Sequence, residues 1–468
     1  MKLRGGYKIL PEGRPNMSVK AMPTPSQLFI PLKSKRFSFT DIAVESGDKV
    51  NIGQVIAADP GNFNIPLLAP VSGKIQLDLD KDCIIIDDVN DSGPYPPTCD
   101  PSIHIPKGPS AHDKVQKLFS LGAWEFFYNA LTGDLPDPAQ TPQAIIISTV
   151  ALDPFVARGD VQLKNQLVPF TRGLEHLQSL LEYQPIYLIL PKVKTDFAAK
   201  VRKQIRGYAF VKIIEVDLKY PFDDFTILAR GLKLKPSAGP VWALRTGGVL
   251  AVDEALTDSR PRTERVISVA GSGINEPTHV SVTAGYPIES IKTAFNVPNG
   301  TRVINGGVMT GTPIDETQIG IDTECRGITF LPENTGREFL GWLRPGFDRR
   351  CYANTFGSAI MHDFRERLTT AVRGEVRACV SCNFCEEVCP AGIMPHLIHK
   401  YLYKDHIEEA EKAHVQYCVE CGLCSFICTS KIDLRGEFIK AKQVIEEEKA
   451  EALAAAAKKQ AESEKNQE

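Results

Sequence analysis

At residues 379–390 the chain reads Cys379-Val380-Ser381-Cys382-Asn383-Phe384-Cys385-Glu386-Glu387-Val388-Cys389-Pro390. The same cysteine spacing returns further on, at Cys418, Cys421, Cys424 and Cys428. Both runs follow C-x2-C-x2-C-x3-C, the pattern that holds a cubane iron–sulfur cluster in bacterial ferredoxins. The two runs therefore predict two [4Fe–4S] clusters and, with them, electron transfer.

The spacing also predicts how the ligands are shared. Three thiolates two residues apart, in a loop that wraps inward, can hold three corners of one cube. The helix that follows carries the fourth cysteine away, towards the other cluster. We expect one cluster on Cys379, Cys382, Cys385 and Cys428, and the other on Cys418, Cys421, Cys424 and Cys389.

Two other uses of these cysteines are possible. A disulfide framework is typical of small secreted domains, whereas this chain has 468 residues and no recognisable signal peptide. Structural zinc uses two C-x2-C pairs and would leave the third and fourth cysteines of each run without a role. The second run ends in Cys428-Thr429 instead of Cys-Pro, which changes the turn but removes no ligand. Iron–sulfur clusters remain the favoured interpretation, with zinc as the alternative.

Length and charge limit the remaining possibilities. A chain of 468 residues is long enough for several domains, and its net charge of −3 gives no reason to expect nucleic acid or an anionic membrane surface as a partner. The longest uninterrupted apolar stretch, Ala452–Ala457, is far below the ~18 residues of a membrane span. We expect a soluble or peripheral protein that faces the cytoplasm, where thiols stay reduced.

The N-terminal region predicts a small β-domain. Residues 26–88 alternate short apolar runs with glycine turns, as in Glu45–Ile56 and Ala69–Ile75. This sequence pattern resembles that of the barrel-sandwich hybrid, the fold of biotinyl and lipoyl carriers. No lysine lies between Lys49 and Lys74, where a carrier needs one, so we expect the scaffold without its swinging arm. Residues 90–110, rich in proline, aspartate and serine, are typical of a linker or surface loop.

A parallel α/β domain follows. Strand-like runs at Ala144–Ser148, Ile186–Leu190 and Phe210–Val216 alternate with helical patterns at Asn165–Glu182 and Asp196–Ile205. The six residues directly after the first strand, 149–154, include no glycine. The nearest match to a dinucleotide-binding motif, Gly271–Glu276, has glutamate in place of the third glycine and is predicted to be a hairpin turn. We therefore expect neither a nicotinamide site nor a flavin site here.

The last third of the chain contains two further patterns. Short strands over residues 264–331 predict a β-grasp module, in which His279 is a packing or surface residue. Apolar residues at helical spacing between the cysteine runs predict a helical ferredoxin domain. His396 and His399, also between the runs, have a spacing that could bind metal but more often belongs to a packing or solvated helix face. We expect the four other cysteines to be buried core thiols; they are Cys83, Cys99, Cys325 and Cys351.

Several blocks resemble the A subunit of the sodium-translocating NADH:quinone reductase (Nqr). They are Gly6-Tyr7-Lys8-Ile9-Leu10-Pro11-Glu12-Gly13-Arg14-Pro15, Arg262-Thr263-Glu264-Arg265-Val266-Ile267, Asn305-Gly306-Gly307-Val308-Met309-Thr310-Gly311 and Phe339-Leu340-Gly341-Trp342-Leu343-Arg344-Pro345-Gly346. The complete cysteine runs instead resemble the C subunit of the Rnf complex, because Nqr A subunits keep only a remnant of them and hold no cluster. The glycine-rich flavin and NADH loop of Rnf C subunits is missing here.

This resemblance implies a multidomain α+β chain. We expect a barrel-sandwich hybrid-like domain at 1–90, a Rossmann-like α/β domain at 91–260 and a β-grasp (SLBB-like) module at 261–350. A helical ferredoxin domain with two [4Fe–4S] sites would occupy 351–440, and a charged tail, helical or disordered, 441–468.

The resemblance also implies a function. We expect a peripheral, electron-transferring subunit of a membrane-bound, ion-translocating NADH:quinone oxidoreductase, not catalytic alone and without catalytic residues of its own. Its partners would be integral B- or D-type subunits at the cytoplasmic face of the bacterial inner membrane. Quinone is a candidate ligand to which no residue can be assigned. The alternatives are a flavin dehydrogenase subunit of Rnf C type, or a scaffold subunit whose clusters are structural.

Overall fold

The computed structural model describes residues 1–90, 112–181, 183–315, 317–334, 352, 365–371 and 375–465. The chain divides into two compact units. One consists mainly of Ile9–Asn334, and the other includes Leu3–Lys8 and Ala371–Glu468. The predicted linker at 90–110, the Nqr-like block at 339–346, Cys99 and Cys351 lie wholly or almost wholly outside the described residues.

Two small antiparallel sheets form the N-terminal domain of the first unit. Their strands are β2 (Gln27–Pro31), β3 (Asp41–Ile42), β4 (Lys49–Val50), β5 (Val55–Asp59), β6 (Ile65–Leu68), β7 (Ser72–Asp78) and β8 (Cys83–Asn90), and β1 (Val19–Ala21) precedes them in the chain. One sheet has the order β2-β8-β7-β4 and the other β3-β5-β6, while β1 joins a later sheet. Alternate residues of β2, such as Leu28 and Ile30, are fully buried, as expected of a strand with one face on a core. The predicted β-domain is confirmed.

A five-stranded sheet forms the centre of the α/β domain. Its elements are α1 (His112–Ser120), β9 (Tyr128–Asn129), β10 (Ala144–Ser148), α2 (Gly159–Gln162), α3 (Leu167–Gln178), β11 (Ile186–Pro191), α4 (Asp196–Gln204), β12 (Val211–Val216), α5 (Phe225–Gly231), β13 (Val241–Arg245) and α6 (Thr246–Asp253). The order is β12-β11-β10-β13-β9, parallel except at the β9 edge. Every residue of β10 is buried, because helices cover both faces of a parallel sheet. The predicted parallel α/β domain is confirmed.

The third sheet is mixed. It contains β14 (Glu264–Ala270), β15 (Thr278–Thr283), β16 (Thr301–Asn305), β17 (Thr312–Pro313) and β18 (Gly327–Pro332), with α7 (Ile288–Ala294) between β15 and β16. The order is β1-β15-β14-β18-β16-β17, and the central pair β14 and β18 is parallel. The segment Gly271–Glu276 joins the antiparallel strands β14 and β15, so the predicted hairpin turn is confirmed. His279, in β15, is fully buried and its Nδ1 lies 2.8 Å from Asn16 O, which confirms a packing role.

Helices form the described part of the second unit. They are α8 (Phe384–Glu387), α9 (Pro395–Leu402), α10 (Ile407–Lys412), α11 (Leu423–Ile427) and α12 (Leu434–Lys465). A hydrophobic core joins them through Ile398, Val415 and Phe438. The tail is helical to Lys465, the first of the two alternatives expected for it. In the described part of the chain, no helix combines the length and apolar character needed to cross a membrane.

Candidate functional site

The two cysteine runs share one backbone conformation. Ser381 and Asn383 in the first run have positive φ, and so do Glu420 and Gly422 at the equivalent positions of the second. Left-handed residues turn the chain sharply, so each run curls before a short helix begins at the next residue. The repeat in the sequence is therefore also a repeat in the structure.

The end of the second run lies beside the start of the first. The Arg377 N–H donates to Ser430 O over 2.9 Å, and Ser430 Oγ donates to Ala378 O over 2.9 Å. The Arg377 guanidinium donates to Thr429 O over 2.7 Å. Since Ala378 precedes Cys379 and Thr429 follows Cys428, these bonds bring the two cysteines into one neighbourhood.

Cys428 joins the thiols of the first run. The thiol of Cys385 interacts electrostatically with those of Cys382 and Cys428. Cys382 Sγ lies 3.8 Å from the hydroxyl of Thr429, the residue after Cys428. Cys379 packs on the hydrophobic core of this unit, together with cysteines of both runs. One group therefore brings Cys382 and Cys385 of the first run together with Cys428 of the second.

Cys389 joins the thiols of the second run. One small cavity is lined by Cys389, Cys418, Cys421 and Cys424, with Phe438 among its apolar walls. The thiol of Cys424 interacts electrostatically with the other three. The last cysteine of each run thus lies beside thiols of the other run.

The thiols of the second group line a small cavity. Within the described residues, no three His, Cys, Asp or Glu side chains are close enough together to hold a single metal ion. Tetrahedral zinc needs ligands that converge to within about 2.3 Å of one ion. A cubane spreads its four thiolates over four iron atoms, so an open group of cysteines is the arrangement it fits.

Backbone N–H groups point at several of the sulfurs. The Glu420 N–H donates to Cys418 Sγ over 3.3 Å. The backbone N–H groups of His396 and Glu386 act to lower the pKa of Cys385, and that of Ser425 acts to lower the pKa of Cys424. Hydrogen bonds of this kind stabilise thiolates and tune the potential of a bound cluster.

Burial opposes deprotonation of these thiols. It raises the pKa of Cys385 and of Cys418 to about 11 and raises the pKa of Cys424 well above its ordinary value. At Cys418 the Glu420 N–H and the Lys442 ammonium act in the opposite direction. Metal binding would therefore have to release protons from thiols that are neutral at pH 7.

Helix α12 places two positive charges beside the second group. Lys442 Nζ lies 3.4 Å from Cys418 O and pairs with the Glu420 carboxylate. Arg435 Nε donates to Glu420 O over 2.8 Å. The two side chains hold the Cys418–Cys421 loop in place and bring positive charge to this group.

The two groups differ in exposure. Cys382 in the first is exposed, whereas Cys389, Cys421 and Cys424 in the second are buried. Val376 and Val380, beside the start of the first run, are each 68% exposed. The first group is therefore the more open to solvent.

The two histidines of α9 have separate partners. His399 Nδ1 lies 2.7 Å from Glu437 Oε2, and His396 Nδ1 lies 3.8 Å from Glu386 Oε2. They do not share a ligand position, which supports the packing interpretation over a metal pair. Outside this unit, Cys83 and Cys325 are buried, as expected of core thiols.

Comparison with known proteins supports the first two domains. A family model described as the RnfC barrel sandwich hybrid domain matches residues 2–81, and one described as the NqrA second alpha/beta domain matches residues 110–260. The predicted resemblance to Nqr A subunits and Rnf C subunits is confirmed. The chain carries an RnfC-type barrel-sandwich hybrid followed by an NqrA-type α/β domain.

Curated relatives extend the similarity along most of the chain. The A subunit of the Na(+)-translocating NADH-quinone reductase of Pseudomonas aeruginosa is 25% identical over 418 residues, covering 86% of this chain and 89% of that protein. The corresponding A subunits of Neisseria meningitidis and Rhodopirellula baltica are 24% and 25% identical, covering 85% and 75% of this chain and 88% and 76% of those proteins.

A solved structure is more distant. A chain of an NAD+-reducing [NiFe]-hydrogenase in its H2-reduced state is 12% identical, with a TM-score of 0.41. The match covers 71% of this chain and 62% of that one. Similarity at this level carries no functional information.

The sequence pattern did not reveal the residues around the thiols. The N–H donors at His396 and Ser425 depend on backbone direction, which no spacing of residue types encodes. Lys442 and Arg435 are charged residues on a charged helix and resemble their neighbours. For all four, the first sign of a role is their position next to a cysteine.

Proposed function

We propose that this chain is a peripheral electron-transferring subunit of an ion-translocating NADH:quinone reductase of the Nqr and Rnf type, with two [4Fe–4S] clusters. One cluster would be held by Cys379, Cys382, Cys385 and Cys428. The other would be held by Cys418, Cys421, Cys424 and Cys389. The observation that carries the proposal is the exchange of the fourth cysteine between two otherwise separate groups of thiols.

Each bound cluster would supply one-electron chemistry at a potential that the protein adjusts. The cysteines would bind as thiolates, and the N–H groups of Glu420 and His396 would stabilise that charged form. Lys442 and Arg435 would favour added negative charge at the second site, because both are cations beside it. The exposed first site would be the one that exchanges electrons with a partner.

The relatives support the assignment to a complex. Proteins named as the A subunit of the Na(+)-translocating NADH-quinone reductase align with this chain over most of both lengths. A protein of this kind would reach its membrane partners through protein contacts. We place it at the cytoplasmic face, beside integral subunits of B or D type.

The third sheet supports the proposed β-grasp module. Two antiparallel pairs, β14–β15 and β16–β18, flank the helix α7 in sequence. Strands β14 and β18, the first and last of these four, are parallel neighbours at the centre of the sheet. We infer an SLBB-like module over about residues 261–350 from this strand order, between the α/β domain and the helical ferredoxin domain in the chain.

Metal analysis of anaerobically purified protein tests the cofactor. We expect about eight iron and about eight acid-labile sulfide per chain, four of each for every cubane. A protein with bound zinc and almost no iron would overturn the electron-transfer function. It would leave the relationship to the Nqr A subunits untouched, since that rests on other domains.

A further inference from the structure

A second site lies far along the sequence from the cysteine runs, in the α/β domain of the first unit. Strand β10 ends at Ser148 and its parallel neighbour β13 ends at Arg245. The chain continues from β10 to β11 and β12 on one side, while β13 lies on the other. Ligands of open α/β sheets bind at such a reversal of strand order, at the carboxyl ends of the strands. The structure has a cavity there.

The cavity is strongly cationic. Among the described residues that line it are five arginines and two carboxylates: Arg36, Arg245, Arg262, Arg265, Arg326, Glu125 and Glu324. Aromatic rings of Phe37, Phe126 and Tyr128 complete part of the wall. An excess of positive charge in a partly enclosed space attracts anions.

Three of the arginines are neutralised within the protein. Arg36 Nε lies 2.5 Å from Glu324 Oε1. Arg262 pairs with Glu254, and Arg265 pairs with Glu125. Each of these three guanidinium groups is paired with one carboxylate. The positive charge of the other two arginines of the cavity, Arg245 and Arg326, needs a separate account.

Arg245 and Arg326 are not neutralised in this way. Arg245 Nη1 is buried without a hydrogen-bond partner, and its ion-pair contact with Asp223 Oδ2 is long, at 3.6 Å. The side chain of Arg326 forms no hydrogen bond or ion pair with any described residue. Burial, followed by the charge of Arg326, lowers the pKa of Arg245. The two guanidinium groups therefore repel each other at one cavity, while Asp223 beside Arg245 and the buried Asp153, which feels the charge of Arg326, offset only part of that charge.

Helix α6 adds backbone donors at the same place. It begins at Thr246, directly after Arg245, and no side chain caps its first turn. Thr246, Gly247 and Gly248 all line the cavity. The first N–H groups of a helix lack partners within the helix and carry partial positive charge, which favours an anion.

The cavity has a defined size. Its volume is about 90 Å³. At ~10–15 Å³ for each water, that is room for roughly six to nine waters. This space fits a small oxyanion with a short organic body.

We propose that this cavity binds a small oxyanion, a phosphate- or carboxylate-bearing metabolite, between Arg245, Arg326 and the first turn of α6. The anion would give Arg245 Nη1 its missing acceptor and would separate the two guanidinium charges. Planar guanidinium groups bind phosphate and carboxylate through paired hydrogen bonds, so both chemistries suit the site. The site is independent of the proposed clusters.

Titration of the full chain with inorganic phosphate and with succinate, at ionic strength matched with chloride, tests this site. We expect at least one of them to raise the melting temperature in a saturable way. In Arg326→Gln the apparent affinity should fall about tenfold. In Arg206→Gln, which removes an exposed arginine of the same domain outside the cavity, it should not change.

The melting temperature without anion separates binding from folding. Arg326→Gln removes both the repulsion with Arg245 and the attraction of Arg326 for the buried Asp153, so its melting temperature in chloride should change little. Response to phosphate alone or succinate alone would support the site and identify the class of ligand. No saturable effect of either anion on the native chain, or an equal effect on the native chain and Arg326→Gln, would overturn the proposal.

Discussion

Single residues decide how each cysteine run bends. At the fifth position of the pattern the first run has Asn383 with φ of 63° and the second has Gly422 with φ of 76°. Glycine and asparagine are the residues that adopt this conformation most readily. The same backbone conformation is therefore obtained with two different residues, and substitutions at these two positions should differ in their effect on stability.

Gly422→Ala should destabilise the C-terminal unit by about 1 kcal/mol, because a Cβ is unfavourable at positive φ. Asn383→Gly, the matched change in the first run, should be close to neutral. Thermal unfolding followed by circular dichroism, with iron content as a second readout, measures both. Equal destabilisation by the two substitutions would contradict the conformational argument.

A half-buried carboxylate in the first unit makes stability depend on pH. Asp224 caps helix α5 by accepting a hydrogen bond from Ile227 N over 3.0 Å. Burial raises its pKa from 3.8 to about 6, and the neighbouring Asp223 adds to the effect. The folded protein therefore holds more protons than the unfolded chain between these two values, and stability falls as pH rises through them.

The substitution Asp224→Asn keeps an oxygen that can cap helix α5, and it removes the group whose titration lowers the folding stability as pH rises. We expect the variant to equal the native chain below pH 3.8 and to exceed it by about 1–2 kcal/mol above pH 6. Denaturant unfolding across this range measures the difference, and Asp322, with its own raised pKa, contributes equally to both proteins. A stability difference that is the same at every pH would show that Asp224 does not titrate as described.

At the scale of elements, much of the fold follows from local pattern. The run Ile145, Ile146 and Ile147 is typical of a strand buried on both faces, and it lies in the centre of the parallel sheet. Strand β13 was not predicted, although it is the other neighbour of β10. Its sequence, Val241–Arg245, follows a proline- and glycine-rich segment and contains tryptophan, alanine and arginine in place of a β-branched run.

The cysteine groups and the anion cavity also differ in how far local sequence predicts them. Cysteine spacing predicts the candidate ligands, because each run is a local motif, and the ligand sets of the two clusters stay a prediction. The arginines of the anion cavity are scattered from Arg36 to Arg326. Only the packing of three sheets brings them together, and no local pattern records that.

Helix α12 supports the second group of thiols from one face. Phe438 is fully buried, belongs to the core of the C-terminal unit and lines the cavity of that group. Phe438→Ala should cost about 3–5 kcal/mol and lower the iron content. Lys440→Ala, an exposed position on the same helix, should change neither. Retention of full stability and iron by Phe438→Ala would show that α12 is not part of this support.

At the scale of the whole molecule, the resemblance to Nqr A subunits predicts a bound and not a free protein. Chaotropic washing of native membranes should release the chain, and mild detergent should recover it with integral Nqr- or Rnf-like subunits. The contacts would be protein contacts, which chaotropes weaken. Migration as a free monomer in native extracts would contradict the assignment to a complex.

The pairing of cysteines across the two runs is the central claim, and electron paramagnetic resonance of two single variants tests it most directly. In reduced Cys389→Ser, the spectrum of the cluster on the second run should change while that of the first is preserved. Cys428→Ser should do the reverse. If each variant instead altered the cluster on its own run, the exchange of the fourth ligand would be wrong.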